Sequence, residues 1–507
     1  MAATLDPVRG VAQAMLRRFE TPETNPYRTD PVGWVRDKLG EHLWSKQAEI
    51  ASSVVANRYT AVQSCHDAGK SFIASRLTCW WLDVHPPGEA FVVTTAPTAP
   101  QVSAILWREI GKAHKKGRLT GRITGGTVPE WKLADGEIVA YGRKPADYDQ
   151  AAFQGIHARY VLVIVDEACG VPKSLFDAVD ALATNEAARV LAIGNPDDPA
   201  SHFAEICRPG SGWHVIRIDG LATPNMTADA IAAYPALAEL FDKQHLAPST
   251  EPIPEDLRAM LLSPLWVAER IARWGIKSPL FAAKVRGLFP EVGDDQLISL
   301  GAILAAQNRE LDPEHHSVLG VDVARFGSDR TIFALAHGPV IRIVGDHTKQ
   351  RTTETTGRVI AAKEEHKVAE IHVDGVGVGA GVVDELLEAG HDVVDMQSGA
   401  AALDPKHYAN ARAEWWWGLR QIFEDGDIDI DADDDELAAQ LGAMRYRYTA
   451  RGQILIESKD DMRKRGLPSP DKADAVMLAK AHVPPPDEIV EDDDLDEELA
   501  DFSISRY

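Results

Sequence analysis

One eight-residue stretch near the start of the chain constrains the fold more than any other. In order, it contains Ser64, Cys65, His66, Asp67, Ala68, Gly69, Lys70 and Ser71. The hydrophobic pattern predicts a short strand directly before it, over residues 60–63, and a helix over residues 70–82. A loop that ends at a helix start presents backbone N–H groups to phosphate, while Lys and Ser side chains suit phosphate oxygens and Mg²⁺. The stretch therefore predicts a nucleotide-phosphate loop, with Ser64 where such loops usually begin with Gly.

Two acidic residues are placed to complete that loop. Asp166 and Glu167 directly follow the apolar run 161–165, which reads as a fully buried strand. Ligands of α/β sheets bind at the carboxyl ends of strands. We expect Asp166 to hold the water shell of Mg²⁺ and Glu167 to polarise the water that attacks the γ-phosphate.

Two further side chains fit the same site with a weaker signal. Asn195 ends the next predicted strand, where a γ-phosphate sensor belongs, although a plain turn explains it equally well. Gln47 shortly precedes the first strand and could contact the adenine edge, with an exposed helical glutamine as the alternative.

The order of predicted elements indicates the fold class and the domain organisation. Strands alternate with helices from residue 59 to residue 218, which predicts an α/β fold with a mostly parallel sheet and helices on both faces. A second α/β pattern begins at residue 318 with three adjacent strands, which predict an antiparallel meander. The predicted divisions are an N-terminal appendage (1–40), a phosphate-loop domain (41–290, with a helical linker part from about 222), a second domain (305–483) and an acidic tail expected to be disordered (484–507).

The second domain carries its own set of carboxylates. Asp322 lies on its first predicted strand, Asp374 ends a later one, and Asp471 and Asp474 lie at the start of the last helix. Acids on two strands and a C-terminal helix are typical of an RNase H-like domain. There they hold two metal ions about 4 Å apart for phosphodiester cleavage. Each acid alone is also consistent with a helix cap or a solvated turn.

Charge is distributed unevenly along the chain. The formal net charge is -24, and dense acidic runs occupy residues 424–436 and 487–501. Between the acidic run and the last acids, the chain carries a basic cluster that includes Arg445, Arg447 and Lys459. Such a cluster supplies the local attraction for a nucleic-acid backbone that the overall charge lacks, although a solvated charged surface is the alternative.

Cysteine spacing and hydropathy indicate the state of the thiols and the cellular location of the protein. Cys65, Cys79, Cys169 and Cys207 are scattered without a CxxC pair, so buried free thiols are expected. The chain has no apolar run of about 18 residues and no basic-then-apolar leader at its start. We therefore expect a cytosolic protein.

The combination of these motifs resembles the large terminase subunit of tailed bacteriophages, over about residues 34–483. The phrases that carry the resemblance are Phe153-Gln154-Gly155-Ile156-His157, Val165-Asp166-Glu167-Ala168, Glu457-Ser458-Lys459 and Ser469-Pro470-Asp471-Lys472-Ala473-Asp474-Ala475. The resemblance implies an ATPase that drives viral DNA into a procapsid and a nuclease that cuts the concatemer. It further implies ATP with Mg²⁺ in the first domain and two divalent ions, Mg²⁺ or Mn²⁺, in the second.

The resemblance also assigns roles to individual residues. It implies that Asp322, Asp374 and Asp474 are the principal metal ligands, with Asp471 auxiliary, and that Lys459 lies near the scissile phosphate. Many members of the family carry an arginine inside the phosphate loop, whereas this chain has His66 there. An arginine finger must then come from elsewhere in the chain or from a neighbouring subunit. The candidates are Arg143 and Arg159.

The implied partners are double-stranded viral DNA, the portal protein, the small terminase subunit and further copies in a ring at the portal. No membrane partner is expected. The implied location is the cytoplasm of the bacterial host during assembly rather than the mature virion. Two other readings fit the motifs: a helicase-like DNA-dependent ATPase whose second domain only binds DNA, and a scaffold that uses nucleotide as a switch.

Overall fold

A computed structural model describes residues 25–126, 128–143, 158–291, 293, 295–324 and 329–483. Three features predicted above lie outside the described residues: the first 24 residues of the appendage, the motif at 153–157 and the acidic tail 484–507. The chain forms two compact units. Within the described residues, the first contains residues 25–301, 438–443 and 460–468, and the second contains 302–437, 444–459 and 469–483.

The first unit is built on an eight-stranded sheet. Its strands are β1 (Tyr59–Ser64), β2 (Ala90–Thr95), β3 (Arg122–Thr124), β4 (Glu130–Lys132), β5 (Ile138–Gly142), β6 (Tyr160–Val165), β7 (Arg189–Gly194) and β8 (His214–Ile218). Their spatial order is β3-β4-β5-β2-β6-β7-β1-β8. In this spatial order, the six strands from β5 through β2, β6, β7 and β1 to β8 pair in parallel. The strands β3 and β4 pair antiparallel at one edge of the sheet. The predicted α/β fold with a mostly parallel sheet is confirmed.

Helices flank this sheet and extend the unit. They are α1 (Pro31–Trp34), α2 (Ser45–Ala56), α3 (Lys70–Val84), α4 (Trp107–Gly117), α5 (Lys173–Leu182), α6 (His202–Ile206), α7 (Ala228–Ala232), α8 (Pro235–Lys243), α9 (Glu255–Arg258), α10 (Pro264–Trp274), α11 (Pro279–Lys284) and α12 (Leu300–Gln307), the last of which continues into the second unit. Two π-helical turns, Val35–Leu39 and Gln101–Leu106, adjoin α1 and α4.

The sheet order brings the predicted nucleotide-binding residues to one edge. All six residues of β6 are buried, as expected for a central strand covered by helices on both faces. The phosphate loop follows β1, Asp166 follows β6, and Asn195 follows β7, which lies between them. Three adjacent parallel strands therefore end at the same place.

The second unit contains a five-stranded sheet and a separate hairpin. Its strands are β9 (Ser317–Asp322), β10 (Arg330–His337), β11 (Val340–Thr348), β12 (Glu370–Asp374) and β13 (Val394–Met396), with β14 (Tyr446–Tyr448) and β15 (Ile454–Ile456) forming the hairpin. The sheet order is β11-β10-β9-β12-β13. The predicted antiparallel meander is β9-β10-β11, whereas β12 and β13 are parallel to their neighbours. This is the RNase H-like arrangement.

The remaining helices are α13 (Thr352–His366), α14 (Gly379–Glu388), α15 (Ala411–Asp425), α16 (Asp435–Ala443, mostly in the first unit), α17 (Lys459–Lys464) and α18 (Asp471–Lys480). Helix α18 packs closely on β9 because residue 320 is glycine. A Cβ atom at Gly320 would lie 2.3 Å from the carbonyl oxygen of Ala475 and 2.5 Å from the backbone nitrogen of Ala479. Across the described part of the chain, we find no helix with both the length and the apolar character needed to span a membrane.

Candidate functional site

The lysine of the phosphate loop is held by neutral groups. Lys70 begins α3 and is buried, and its Nζ donates to the carbonyl oxygen of Cys65 (3.2 Å) and to Oδ1 of Asn195 (3.1 Å). The amide Nδ2 of Asn195 in turn donates to the carbonyl oxygen of Ser64 (2.7 Å). Asn195 therefore links the end of β7 to both ends of the loop, which is where a group that reports on the γ-phosphate would have to lie.

The acidic pair lies beside the loop's hydroxyl. The Ser71 Oγ donates to Oδ2 of Asp166 (3.3 Å), so both oxygen donors expected around Mg²⁺ are together. Burial, and then the neighbouring Glu167, raise the pKa of Asp166 to about 7, while Lys70 acts in the opposite direction. Glu167 adopts a left-handed backbone with φ of 47°. Such backbone conformations in non-glycine residues cluster at functional sites.

The side chain of Gln47 lies against the loop rather than in solvent. It is fully buried on α2, and its Nε2 points at the carbonyl oxygen of Gly69 at 3.4 Å. A Cβ atom at Gly69 would lie 2.2 Å from this nitrogen, and the φ of 79° also favours glycine there. The Oε1 atom of Gln47 is buried and accepts no hydrogen bond within the described structure. The alternative of an exposed helical glutamine is wrong, and the orphaned oxygen suits a ligand's amino group.

The first half of the loop is anchored to the ends of other elements. The Cys65 N–H donates to the carbonyl oxygen of Ile218 (3.0 Å), and the His66 N–H donates to that of Lys284 (2.8 Å). Burial, together with the cations Lys70 and Lys284, lowers the pKa of His66 well below its usual value. The imidazole is therefore neutral, and His66 cannot supply the charge of an arginine.

The second half of the loop is anchored in the same way. The carbonyl oxygen of Asp67 accepts from the N–H of Leu262 (3.0 Å), and that of Ala68 accepts from Nε1 of Trp44 (3.3 Å). Asp67 has a left-handed backbone with φ of 45°, which turns the chain towards the start of α3. These contacts fix the backbone of the loop to the elements around it.

The two arginine-finger candidates lie at opposite ends of the parallel strands, one at the carboxyl ends and one at the amino ends. Arg143 follows β5 at the edge where Asp166 lies, and its N–H donates to the carbonyl oxygen of Thr94 (3.0 Å). Arg159 precedes β6 at the other edge, about 20 Å from Asp166 by strand length, and pairs with Glu89 at 3.7 Å. This excludes Arg159 as a finger acting within its own subunit.

In the second unit, the predicted carboxylates surround one lysine. The Nζ of Lys459 lies 3.0 Å from Oδ2 of Asp474, 3.3 Å from Oδ2 of Asp322 and 3.7 Å from Oδ1 of Asp471. Asp374 ends β12, whose neighbour β9 ends in Asp322, and it interacts electrostatically with the same lysine. Residues separated by about 150 positions in sequence thus meet at one point.

Burial and mutual repulsion shift the pKa values of the groups in this cluster. Burial raises the pKa of Asp322 well above its usual value; Lys459 opposes this shift, and the other three carboxylates add to it. Burial also raises the pKa values of Asp374 and Asp471. Burial lowers the pKa of Lys459, but the attraction of Asp474, Asp322 and Asp471 outweighs it and raises that pKa above its usual range. The lysine is therefore charged and compensates part of the negative charge.

One residue of this site was missed by the sequence analysis. Arg412, in the first turn of α15, donates from NH1 to the carbonyl oxygen of Glu457 (2.9 Å) and from NH2 to Oδ1 of Asp474 (3.5 Å). It therefore joins the third predicted ligand to the segment that carries Lys459. No motif surrounds it, and only the crossing of α15 with α18 brings it here.

The two acids of α18 are held differently. Both oxygens of Asp471 accept hydrogen bonds from fixed groups, Oδ2 from the N–H of Arg330 (2.8 Å) and Oδ1 from the hydroxyl of Ser469. Among the described residues, the carboxylate of Asp474 contacts two cationic side chains, Lys459 and Arg412. Its oxygens are thus freer to turn towards a metal ion, which fits the principal role implied for Asp474.

The predicted DNA-binding arginines lie on the hairpin that leads to this site. Arg445 directly precedes β14, Arg447 lies within it, and both are exposed. The carbonyl oxygen of Arg445 accepts from the N–H of Glu457 (3.0 Å), two residues before Lys459. The hairpin is therefore tied to the carboxylate cluster through its open end.

The donor chemistry of the cluster fits hard divalent cations. Carboxylate oxygens are the ligands that Mg²⁺ and Mn²⁺ prefer, and the cluster contains four carboxylate groups. Among the described residues, no three potential ligand side chains are spaced to hold a metal ion as they stand. The ammonium group of Lys459 lies between the carboxylates in the position a cation would take. Metal binding at this site therefore requires that group to move away.

The two units together define a class of protein: an α/β phosphate-loop domain followed in the same chain by an RNase H-like domain with a cluster of buried carboxylates. No family model matches the chain. Among curated proteins, it is similar to the probable large terminase subunit of Enterobacteria phage P7, with 24% identity over 90% of this chain and 92% of that protein.

Solved structures of large terminases are also similar in part. The large terminase of the thermophilic bacteriophage D6E in complex with ATP-gamma-S matches 87% of this chain and 98% of its own, at 13% identity and a TM-score of 0.38. The nuclease domain of the large terminase subunit of bacterial virus Sf6 matches 37% of this chain and 99% of its own, at 21% identity and a TM-score of 0.34. The resemblance to large terminase subunits that the motifs indicated is confirmed by the curated relative.

Proposed function

We propose that this chain is the motor and nuclease of a viral DNA-packaging machine. It hydrolyses ATP to move double-stranded viral DNA into a procapsid through the portal, and it cuts concatemeric DNA in a metal-dependent reaction. The proposal is supported above all by the gathering of Asp322, Asp471 and Asp474 around Lys459 in a chain that also carries a phosphate loop. It is further supported by the similarity to a probable large terminase subunit along nearly the whole chain.

In the first unit, ATP would bind with its phosphates on the loop of residues 64–71 and its adenine near Gln47. Lys70 would leave the carbonyl of Cys65 to contact the phosphate oxygens, while Asn195 stays within reach of the transferred group. Mg²⁺, when bound through Ser71 and Asp166, would neutralise charge on the phosphates. Glu167 would orient the attacking water and accept its proton. An arginine from the chain or from a neighbouring subunit, with Arg143 as the candidate within the chain, would complete the site.

In the second unit, Asp322, Asp374 and Asp474 would hold two divalent cations, with Asp471 in a supporting position. The ions would activate water and stabilise the leaving oxygen of the phosphodiester. Lys459, once displaced from the carboxylates, would be free to contact the scissile phosphate. Arg412 would act as a positioning residue that holds Asp474, and Arg445 and Arg447 would contact the DNA backbone.

The partners proposed on this basis are double-stranded DNA, the portal protein, the small terminase subunit and further copies of this chain in a ring on the portal. The activity would take place in the cytoplasm of the infected bacterial cell during assembly. These assignments follow from the proposed function, and each stands or falls with it.

The decisive experiment separates the two activities on one chain. The Asp322→Asn variant should lose cutting of plasmid DNA in Mn²⁺ by at least about 100-fold, because a buried metal ligand loses its charge. The same variant should hydrolyse ATP at the wild-type rate. The Glu167→Gln variant should bind ATP, release phosphate at least about 100-fold more slowly, and still cut plasmid DNA.

Two outcomes would contradict the proposal. If purified protein never cuts DNA with Mg²⁺ or Mn²⁺ but hydrolyses ATP, the second unit is only a DNA-binding module of a helicase-like ATPase. If the protein binds ATP without turnover and Glu167→Gln changes nothing, the chain is a nucleotide-switched scaffold.

A further inference from the structure

The first unit contains an open cleft of about 340 Å³ away from the nucleotide site. Its walls are one face of α8, the end of α10 with the turn that follows, and the end of α17 with residues 465 and 466. All of these residues belong to the first compact unit. The cleft has no part in the nucleotide chemistry described above.

The cleft is lined by cationic side chains. Five of them, Lys243, Lys277, Arg463, Lys464 and Arg465, share the lining with a single carboxylate, Glu239. This is unusual in a chain whose formal net charge is -24. The side chains of Lys243, Arg463 and Lys464 are 66%, 51% and 75% exposed, so their charged ends remain available to a ligand.

Local ion pairing does not neutralise the cleft. Lys243 pairs with Glu239 at 2.5 Å, Lys464 pairs with Asp461 at 2.9 Å, and Arg463 pairs with Asp460 at 2.9 Å. Exposed pairs of this kind hold together weakly, and a phosphate group can compete with the carboxylate. Lys277 is exposed and makes no ion pair within the described residues. The five cations of the lining are thus accompanied by three carboxylates, those of Glu239, Asp460 and Asp461, so an excess of positive charge remains with these pairs formed.

Helix capping explains some of these residues one by one but not their arrangement. Lysine and arginine favour the last turn of a helix, where the macrodipole is negative, and this accounts for Lys243, Arg463 and Lys464 separately. It does not account for Lys277, which lies beyond the end of α10, or for the convergence of cations from three separate segments around one open cleft. An anionic ligand in the cleft would account for this convergence.

The geometry points to a binding site for the backbone phosphates of duplex DNA in this cleft. The inference rests on the proposed function, since it adds a contact between the motor unit and the DNA that it moves. The cleft is open rather than enclosed, which suits a continuous polymer better than a small anion. It offers charges without aromatic platforms or buried hydrogen-bond donors, so it would read the backbone and not the sequence. A translocating motor needs that kind of contact because it must release and rebind along any sequence.

The test removes three of the cleft's lysines together. In the full-length Lys243→Ala, Lys277→Ala, Lys464→Ala variant, binding of a fluorescent 30-base-pair duplex is measured by anisotropy at several salt concentrations. Each phosphate contact contributes about 0.9 to the slope of log affinity against log salt, so the slope should fall in magnitude by about 2 to 3. Affinity near 0.1 M salt should fall about 10- to 100-fold, equally for unrelated sequences.

The matched control removes three exposed lysines from elsewhere in the same unit, in the variant Lys112→Ala, Lys115→Ala, Lys173→Ala. Two of these also form ion pairs with a carboxylate on the same helix, so both variants lose the same charge in similar settings. The control should keep the wild-type slope, and both variants should keep the wild-type melting temperature and basal ATP hydrolysis.

Three results would overturn the inference. The first is a cleft variant whose salt dependence of DNA affinity has the wild-type slope, although the wild-type protein binds duplex DNA. This result would leave the proposed function intact. The second is an equal loss in the control, which means that only overall charge matters. The third is unchanged DNA binding with lost binding of a synthetic peptide of residues 487–501, which would make the cleft a site for an acidic protein segment. If wild-type protein itself fails to bind duplex DNA, the proposed function fails as well.

Discussion

The two candidate sites of this chain both combine a lysine with aspartates, but they hold the lysine in different ways. In the phosphate loop, the hydrogen bonds that Lys70 donates among the described residues go to two neutral oxygens, those of Cys65 and Asn195. In the second unit, Lys459 contacts three carboxylates at once. The first lysine keeps its charge available for a ligand, whereas the charge of the second is already engaged by the protein.

This difference indicates what each site must do before it can work. An anionic ligand can enter the phosphate loop by exchanging weak neutral contacts, and the loop's backbone is already held in shape. A cation can enter the carboxylate cluster only by displacing the ammonium group of Lys459. The first site is therefore ready for its ligand, while the second is compensated internally and must exchange one cation for another.

The largest effect expected from this comparison concerns Lys70. Lys70→Ala removes the charge that faces the phosphates, and a charge-assisted hydrogen bond contributes about 1.5–3 kcal/mol. ATP should therefore bind about 10- to 100-fold more weakly, and hydrolysis should fall by at least about 100-fold. Titration with a fluorescent ATP analogue and phosphate release measure the two effects. Lys112→Ala, an exposed lysine on α4, is the control. Hydrolysis within tenfold of wild type would show that Lys70 does not face the phosphates.

Removing Lys459 should have a smaller effect and should strengthen ligand binding at its site, whereas removing Lys70 weakens it. Lys459→Met keeps the length of the side chain but removes the cation at the centre of the cluster. Asp322, Asp471 and Asp474 then repel one another, with only the contact of Arg412 to Asp474 left as compensation among the described residues. In EDTA the variant should melt several degrees below wild type, because an uncompensated buried charge cluster is destabilising. Mn²⁺ should then bind about tenfold more tightly or better and raise the melting temperature more than in wild type.

Calorimetric titration and thermal melting measure these changes without reference to cutting activity. Lys464→Met, five residues further along, changes the same residue type at a side chain that is 75% exposed, and it should behave as wild type in both measurements. Weaker Mn²⁺ binding in Lys459→Met than in wild type would mean that the lysine supports metal binding instead of competing with it.

The smallest expected effect is the contribution of Asp166 to the pH dependence of stability and of nucleotide affinity. Its pKa is raised to about 7 in the folded protein, mainly by burial and then by Glu167, from an unfolded value near 4. The neutral carboxyl is favoured in the folded state, so this stabilising contribution is complete below about pH 4 and is lost as pH rises through about 7. Without metal, the share of stability due to Asp166 should be smaller at pH 8 than at pH 6, by a few degrees of melting temperature.

Binding of Mg·ATP should depend on pH in the opposite direction and become stronger as pH rises, because the metal binds the ionised carboxylate. Affinity for Mg·ATP should therefore fall by up to about tenfold from pH 8 to pH 6. Asp166→Asn cannot titrate at this position, and its melting temperature and nucleotide affinity should each lose that part of the pH dependence. An unchanged pH dependence in the variant would assign the effect to another group.

The sequence predicted those parts of the two sites that depend on local pattern. The phosphate loop, the acids that end buried strands and the meander of β9 to β11 all follow from short-range periodicity and from residues adjacent in the chain. Arg412 could not be predicted in this way, because it lies 62 positions from Asp474 and nothing around it is distinctive. The position of Lys459 among the carboxylates depends in the same way on how the end of the β15 hairpin meets α18. The burial of Gln47 also escaped prediction, since it depends on the glycine at position 69 leaving room for it.

The close packing of α18 on β9 has a consequence for how this chain can vary. Asp322 and Asp474 lie on two elements that touch where Gly320 meets the backbone of Ala475 and Ala479. Adding one methyl group at position 320 would force the helix outward, and with it Asp474, while leaving every ligand residue in place. Inheritance of the carboxylates alone therefore does not preserve the second site. A chain that retained all four acids but acquired a side chain at position 320 would have a sequence that reads as intact and a site that cannot close around a metal ion.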